Sequence, residues 1–251
     1  VFPGAKMDGA SLHELMELGG VTVSAGVPTI WAGLIRYMQE NGKTFSTLKR
    51  TIVGGSAAPR AMIETFQDEF GVELLHAWGM TETSPIGSVS RLKPGMENRS
   101  EDERMAVRAK QGRPLFGIRM KIADDEGKPL PHDGVAFGHL KVTGPWVCAR
   151  YFKETTPSSH DDEGWFSTGD VATIDADGFM QITDRSKDVI KSGGEWISSI
   201  DLENTAVAHP DVVEAAAIGI AHPKWDERPL LVVIARPGSG LTRESLRAFF
   251  E

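Results

Sequence analysis

The sequence predicts an α/β fold: a parallel-sheet βαβ region, an antiparallel β region appended to it, and a small α+β C-terminal domain. Three observations carry that expectation. Two apolar strand segments, residues 48–53 and 72–75, each run into a glycine-bearing turn with one amphipathic stretch between them, the pattern of a βαβ crossover. From Gly117 onward the pattern changes to short strands at residues 118–122, 140–142, 146–151, 171–174 and 179–182, the last two joined by the hairpin turn Asp175-Ala176-Asp177-Gly178. Beyond the charged, glycine-bearing stretch 183–196, a cap at Ser198-Ser199 opens a helix carrying Leu202 and Val207, followed by strands at 212–220 and 230–234.

Taken in order, Ser11 and Glu14 have the spacing of a capping box for a first short helix, which Gly19-Gly20 ends. Residues 21–23 read as a buried strand. Pro28 then opens a second helix where its missing N–H costs nothing. Ile30, Trp31, Leu34, Ile35 and Met38 form the apolar stripe of that helix, so Trp31 reads first as a core residue. Met62, Ile63, Phe66 and Phe70 share one face of the next helix. Ligands of parallel sheets gather outside the carboxyl ends of the strands, where the turns 54–59 and 76–85 lie. Residues 93–112 are charged and poor in aromatics and read as a solvated excursion. Thr242 starts a last helix that runs to Glu251.

Composition narrows the function classes. The formal charge of −8 argues against a general nucleic-acid binder, so a polyanionic ligand has to be held by a local basic cluster. The single cysteine, Cys148, allows no internal disulfide and suits a reducing compartment, the cytoplasm. No apolar run is long enough to span a bilayer. The opening Val-Phe-Pro-Gly, without an initiator methionine, reads as the start of a segment of something longer.

Four stretches could carry chemistry. Thr81-Glu82-Thr83 places hydroxyls and a carboxylate at a strand end, where they can bind phosphate and hold Mg²⁺, or else cap a helix. Ser167-Thr168-Gly169-Asp170 presents an acid at a glycine turn, able to accept from two vicinal hydroxyls of a ribose. Gly54-Gly55-Ser56-Ala57-Ala58 mimics a hydrolase nucleophile elbow, but Ala58 replaces the last glycine and no Asp and His follow in the required order. Residues 183–196 put lysines and an arginine beside two adjacent glycines, which suits a phosphate or sugar ligand. A Walker-type phosphate loop, a Gly-x-Gly-x-x-Gly fingerprint and a His-Glu-x-x-His motif are absent.

In register, these pieces resemble the AMP-forming acyl-CoA synthetases of the adenylate-forming ligase superfamily. The resemblance rests on Val27-Pro28-Thr29-Ile30-Trp31, Gly54-Gly55-Ser56-Ala57-Ala58-Pro59 and Trp78-Gly79-Met80-Thr81-Glu82-Thr83. It continues through Gly138-His139-Leu140, Gly144-Pro145, Thr168-Gly169-Asp170, the 184–196 stretch, Val213-Glu214-Ala215-Ala216 and Glu227-Arg228-Pro229. Ser192-Gly193-Gly194-Glu195-Trp196-Ile197-Ser198-Ser199 looks most like the medium- and long-chain fatty acid branch, with methylmercaptopropionate-CoA ligases similar.

The resemblance implies ATP-dependent activation of a carboxylic acid to acyl-AMP, then acyl-CoA, with ATP, Mg²⁺ and coenzyme A. It implies Thr81 at the α-phosphate, Glu82 on Mg²⁺, Asp170 on the ribose hydroxyls and Arg185 beside it. Gly55, Ala57, Ala58, Pro59, Ala77, Trp78 and Gly79 would line the adenine slot, and Trp31, Gly55, Gly79 and Met80 the acyl site. Lys187 would be the pivot between a large domain (1–186) and a small mobile one (187–251). Lys191 and Trp196 would face the nucleotide from the small domain, with Gly193 and Gly194 on the face that closes over CoA. The partner is a small-molecule acid, without nucleic acid or membrane segment, and a homodimer is compatible. The family's upstream phosphate loop and terminal catalytic lysine have no counterpart within 1–251, so the chain is expected to be an interior segment impaired in isolation. Against this stands a second class, a non-catalytic AMP-binding segment.

Overall fold

The computed structural model describes residues 1–155 and 159–250. They form two compact units: Val1–Met120 with Val142–Phe166 and Ile174–Gln181 in the first, and Lys121–Lys141, Ser167–Thr173 and the chain from Ile182 onward in the second.

The first unit is built on the expected parallel crossover. Strands β1 (Val23–Gly26), β2 (Arg50–Val53) and β3 (Glu73–Gly79) pair in parallel, with Val23 opposite Arg50 and Arg50 opposite Glu73. The helical connections are α2 (Pro28–Glu40) and α3 (Arg60–Glu64), the latter continued by a π-helical turn at Thr65–Glu69. Pro28 sits in the first turn of α2, and Trp31, Leu34 and Met38 are buried with Phe66 and Ile63 in one core. Phe70 packs against that core only partly buried.

Four local expectations change. Helix α1 (Gly9–Leu18) begins at Asp8, whose carboxylate accepts from Ser11 N–H at 2.9 Å, so the cap lies three residues before Ser11. The strand expected at 21–23 is β1, shifted toward the C-terminus and lying at the sheet edge with Val23 half exposed. β3 runs through Gly79, absorbing the expected turn at His76–Gly79. It then pairs antiparallel with β4 (Ile86–Val89), which pairs with the short β5 (Arg113–Pro114). Gly79 sits at a bulge in that pairing, and a Cβ there would run into the Pro85 carbonyl, so no other residue fits. Finally, the solvated excursion is in part a helix, α4 (Glu101–Ala109), with a Ser100/Glu103 capping box and Met105 and Val107 buried.

The appended β region is a four-stranded sheet in sequence order, β6 (Arg119–Ala123), β7 (Phe137–Thr143), β8 (Phe166–Ile174) and β9 (Met180–Arg185). Residues 146–151, expected as a strand, form none, although Trp146 Nε1 still donates to Ile86 O at 3.3 Å. Gly178 takes a φ of 85° in the predicted β8–β9 hairpin.

In the second unit, β10 (Ile190–Ser192) and β11 (Glu195–Ile197) form a hairpin closed by Gly193-Gly194. Both glycines have positive φ, 63° and 88°, as a two-residue type I′ loop demands. Ser198 caps α5 (Ser199–Val207), accepting from Asp201 N–H at 3.1 Å; Ala206 is buried there, whereas Val207, expected on the apolar face, is half exposed. The long pair β12 (Val212–His222) and β13 (Asp226–Ala235) completes the sheet β11-β10-β13-β12. Helix α6 (Arg243–Phe249) follows its Thr242 cap; Glu251 lies outside the described residues.

Candidate functional site

In the first unit the candidate residues cluster at the carboxyl ends of β2 and β3. The turn after β2 places Gly55, Ala57 and Pro59 at the surface and buries Ala58. Ala58 N–H donates to His76 Nε2 at 3.2 Å, and His76 Nδ1 stands 3.0 Å from Ala109 O. An accepting Nε2 requires the proton on Nδ1, so His76 bridges the turn and α4 as one neutral tautomer. His76 is 1% exposed, and burial pushes its pKa down. The sign is set: the folded state favours the neutral ring, so its stabilisation is complete above the ordinary value of 6.5 and is lost as pH falls below it. Unfolding stability is therefore expected to stay level from pH 8 to about 6.5 and to decline below it, with a shallower decline in His76→Gln; denaturant titrations at half-unit pH intervals check this. A decline of equal slope in the variant would place the titrating group elsewhere.

Ala77 and Trp78 are buried on β3, Met80 is half-buried, and Thr81–Thr83 make a 3₁₀ turn. Thr83 is buried and structural: its hydroxyl accepts from Met80 N–H at 2.9 Å and lies 2.8 Å from Pro85 O. Thr81 is exposed. The Glu82 side chain accepts from Tyr151 Oη at 2.8 Å through Oε1, and its carbonyl accepts from Cys148 N–H at 2.8 Å. That carboxylate, first through its hydrogen bond, pushes the Tyr151 phenol up to about 12. Among the described residues no group of three or more His, Cys, Asp or Glu could hold a metal. A single carboxylate beside a threonine hydroxyl is nonetheless a hard-oxygen donor set of the kind Mg²⁺ uses when phosphates and water complete its shell.

Trp31 is 2% exposed, packs edge-on against Phe66 at 6.0 Å, and its Nε1 has no hydrogen-bond partner. It also lines a cavity of about 790 Å³ with Leu12, Met16, Val21, Val27 and Ile30.

In the second unit Asp170 is 3% exposed on β8, and Arg185 Nη1, at the end of β9, pairs with its Oδ1 at 2.9 Å. Asp170 N–H donates to Thr168 Oγ1, whose hydroxyl is bonded to Leu140 O, so the acid is held on rigid backbone. Lys187 is exposed on the turn that follows β9. Lys191 and Trp196 are direct cross-strand partners in the β10–β11 hairpin, with the ammonium 4.5 Å from the ring centre. Gly193 and Gly194 are exposed at its tip. The structure thus joins Asp170 to Arg185 and Lys191 to Trp196, and puts the 55–59 turn and Thr81-Glu82 after the carboxyl ends of the adjacent strands β2 and β3.

Several contributors were not singled out from sequence. His76 interrupts an apolar strand, which was a usable signal. Asp184 is buried at 1% exposure and receives Arg185 N–H at 2.7 Å and Ser199 N–H at 2.6 Å, tying the turn to the start of α5. Asp125 and His139 meet Lys191 and Trp196 from the β6–β7 hairpin, a placement that no local pattern announces.

Comparison with known proteins adds independent findings. The family model described as AMP-binding enzyme matches residues 1–152, and that of the AMP-binding enzyme C-terminal domain matches 201–251. A medium-chain-fatty-acid–CoA ligase of Ectopseudomonas oleovorans is 50% identical over 100% of this chain and 46% of its own length. A 3-methylmercaptopropionyl-CoA ligase of Ruegeria lacuscaerulensis is 49% identical, again over 100% and 46%. Among solved structures, o-succinylbenzoate CoA synthetase from Bacillus subtilis, in complex with its acyl-adenylate intermediate, superposes with a TM-score of 0.78 at 26% identity, covering 97% of this chain and 47% of that one. The chain spans about half the length of the curated relatives it matches.

Proposed function

The chain belongs to the AMP-binding enzyme family, and on that premise we propose that it forms part of an ATP-dependent acid–CoA ligase acting on a medium- or long-chain fatty acid. The observation that carries the reading is the Asp170–Arg185 pair: a buried carboxylate fixed on a strand beside a half-exposed guanidinium. Vicinal ribose hydroxyls donate to such a carboxylate, and the guanidinium adds a donor at the same sugar.

The substrate carboxylate attacks the α-phosphate of ATP, pyrophosphate leaves, and the thiol of coenzyme A then displaces AMP. Thr81 donates its hydroxyl to the α-phosphate oxygens, where charge grows in the transition state. Glu82, oriented by Tyr151, holds Mg²⁺, which when bound neutralises phosphate charge. The 55–59 turn, braced by His76, and the 77–79 strand end form the walls of the adenine slot. The apolar cavity beside Trp31 receives the acyl chain, with Gly55, Gly79 and Met80 nearer the carboxyl end. Lys187 serves as pivot between the segments 1–186 and 187–251, and Gly193 and Gly194 lie on the face that meets CoA. The relative that acts on 3-methylmercaptopropionate, nearly as similar as the fatty acid ligase, supports a short thioether acid as the second reading.

AMP is expected to raise the melting temperature of the chain, by the equivalent of about 2.7 kcal/mol at 100 times its Kd. Hydroxylamine is expected to trap an acyl hydroxamate from ATP and dodecanoate with a longer polypeptide, of the relatives' full length, that carries these 251 residues. A rate lower by about 10²–10³-fold with the 251-residue chain alone identifies a phosphate donor supplied from outside it. AMP binding without trapping by the longer polypeptide selects the non-catalytic segment. No stabilisation by AMP or by an acyl-adenylate mimic ends the nucleotide reading altogether.

A further inference from the structure

We propose that Asp125 is a positioning residue for Lys191: it holds the ammonium against the Trp196 ring and yields it when a nucleotide phosphate competes. The proposal rests on the reading of Lys191 as a cation of the nucleotide face. Lys191 Nζ lies 2.9 Å from both Asp125 oxygens and 4.5 Å from the Trp196 ring centre. His139 Nε2 lies 2.9 Å from Asp125 Oδ1, while its Nδ1 stands 3.1 Å from Ser186 Oγ, one residue from Lys187. The His139 and Trp196 rings meet edge-on at 5.1 Å, and Phe137 closes the other side of the indole at 5.9 Å. Both hydrogen bonds hold the Asp125 carboxyl below its ordinary range, Lys191 contributing most.

Three features make this a holding position rather than a permanent bond. The pair is 36% and 48% exposed, in the range where ion pairs are weak and exchange readily. Asp125 keeps a donor in His139 after the lysine leaves, so release strands no carboxylate. The hollow beside the pair, about 540 Å³, is also lined by Asp124, Glu126 and Glu195. A polyphosphate is repelled from that many carboxylates, so the lysine, on its flexible four-carbon stem, is the group that travels. The main chain of Lys191 stays fixed meanwhile, because its N–H donates to Glu227 Oε2 at 2.9 Å.

A zero-length carbodiimide cross-link tests this on the chain as it stands. Mapping by mass spectrometry is expected to find an amide between Asp125 and Lys191, absent in Asp125→Asn, restored in Asp125→Glu, and suppressed by ATP. The Lys110–Asp175 pair of the first unit, 2.6 Å apart, serves as the internal control, its cross-link unchanged by the substitutions. Calorimetry is expected to show ATP binding about two- to fivefold tighter in Asp125→Asn, the factor set by losing a weak competing pair. No cross-link in the wild-type chain, or one that persists at an ATP concentration saturating by calorimetry, overturns the proposal. A cross-link present with no ATP heat at all refutes instead the nucleotide reading of Lys191. Since both side chains are substantially exposed, folding is not at stake, and an unchanged melting temperature for Asp125→Asn confirms it.

Discussion

Replacing Asp170 with alanine is expected to weaken AMP binding by about 10² or more while the chain remains folded. Asp170 is the one buried carboxylate of the candidate set, held by Thr168 below it and faced by Arg185 at 2.9 Å. Hydrogen bonds to charged groups contribute about 1.5–3 kcal/mol each, and a ribose offers two, so their joint loss spans at least two decades in Kd. The structural cost is smaller, because the orphaned guanidinium of Arg185 is 58% exposed and water can replace its partner. Asp170→Asn keeps one acceptor oxygen and loses the charge, and should fall between the two. Titration calorimetry with AMP, alongside thermal melts of each variant, decides the matter. Affinity within threefold of the parent chain in a folded Asp170→Ala removes Asp170 from the site.

Trp31→Ala has the largest expected effect on stability, about 3–5 kcal/mol. The indole is 2% exposed, locked edge-on against Phe66, and faces Gly26, where an added Cβ would come within 2.9 Å of the ring. Truncation merges its volume with the adjoining cavity instead of allowing collapse, which places the cost toward the upper end of that range. For a chain of this size the loss corresponds to a melting temperature lower by roughly 10 °C. Trp31→Phe separates packing from polarity. Nε1 has no protein partner, so the smaller ring is expected to lose packing alone, roughly half of the alanine cost. A phenylalanine variant as unstable as the alanine one would mean that Nε1 makes a bond the cavity residues do not reveal. The indole is therefore a core anchor on α2 that also lines the cavity proposed for the acyl chain.

Much of this was legible in the residues themselves, and the reasons are local. Pro28 at the start of α2, Ser198 at the cap of α5 and Gly178 in the β8–β9 turn each act through their own backbone chemistry, which neighbours cannot easily override. The Gly193-Gly194 pair belongs with them: a two-glycine loop closes a hairpin and so makes Lys191 and Trp196 cross-strand partners. The errors were of the opposite kind. Residues 101–109 are so charged that they read as solvated, yet Met105 and Val107 are enough to dock α4 once His76 offers its Nδ1 to Ala109 O. Residues 146–151 have strand-like composition, but the Cys148 N–H is committed to the Glu82 carbonyl of a 3₁₀ turn instead of a strand partner.

The sequence by itself determined the order of α/β, β and α+β regions, the family, and which turns carry the candidate residues, because glycines, prolines, caps and hydrophobic periods are properties of a few adjacent residues. Only the tertiary structure decided that Asp170 and Arg185 form an ion pair, that His76 braces Ala58, and that Asp125 holds Lys191. Those contacts join residues from 15 to 66 positions apart, and their partners are chosen by strand pairing and packing, which no single stretch of chain encodes.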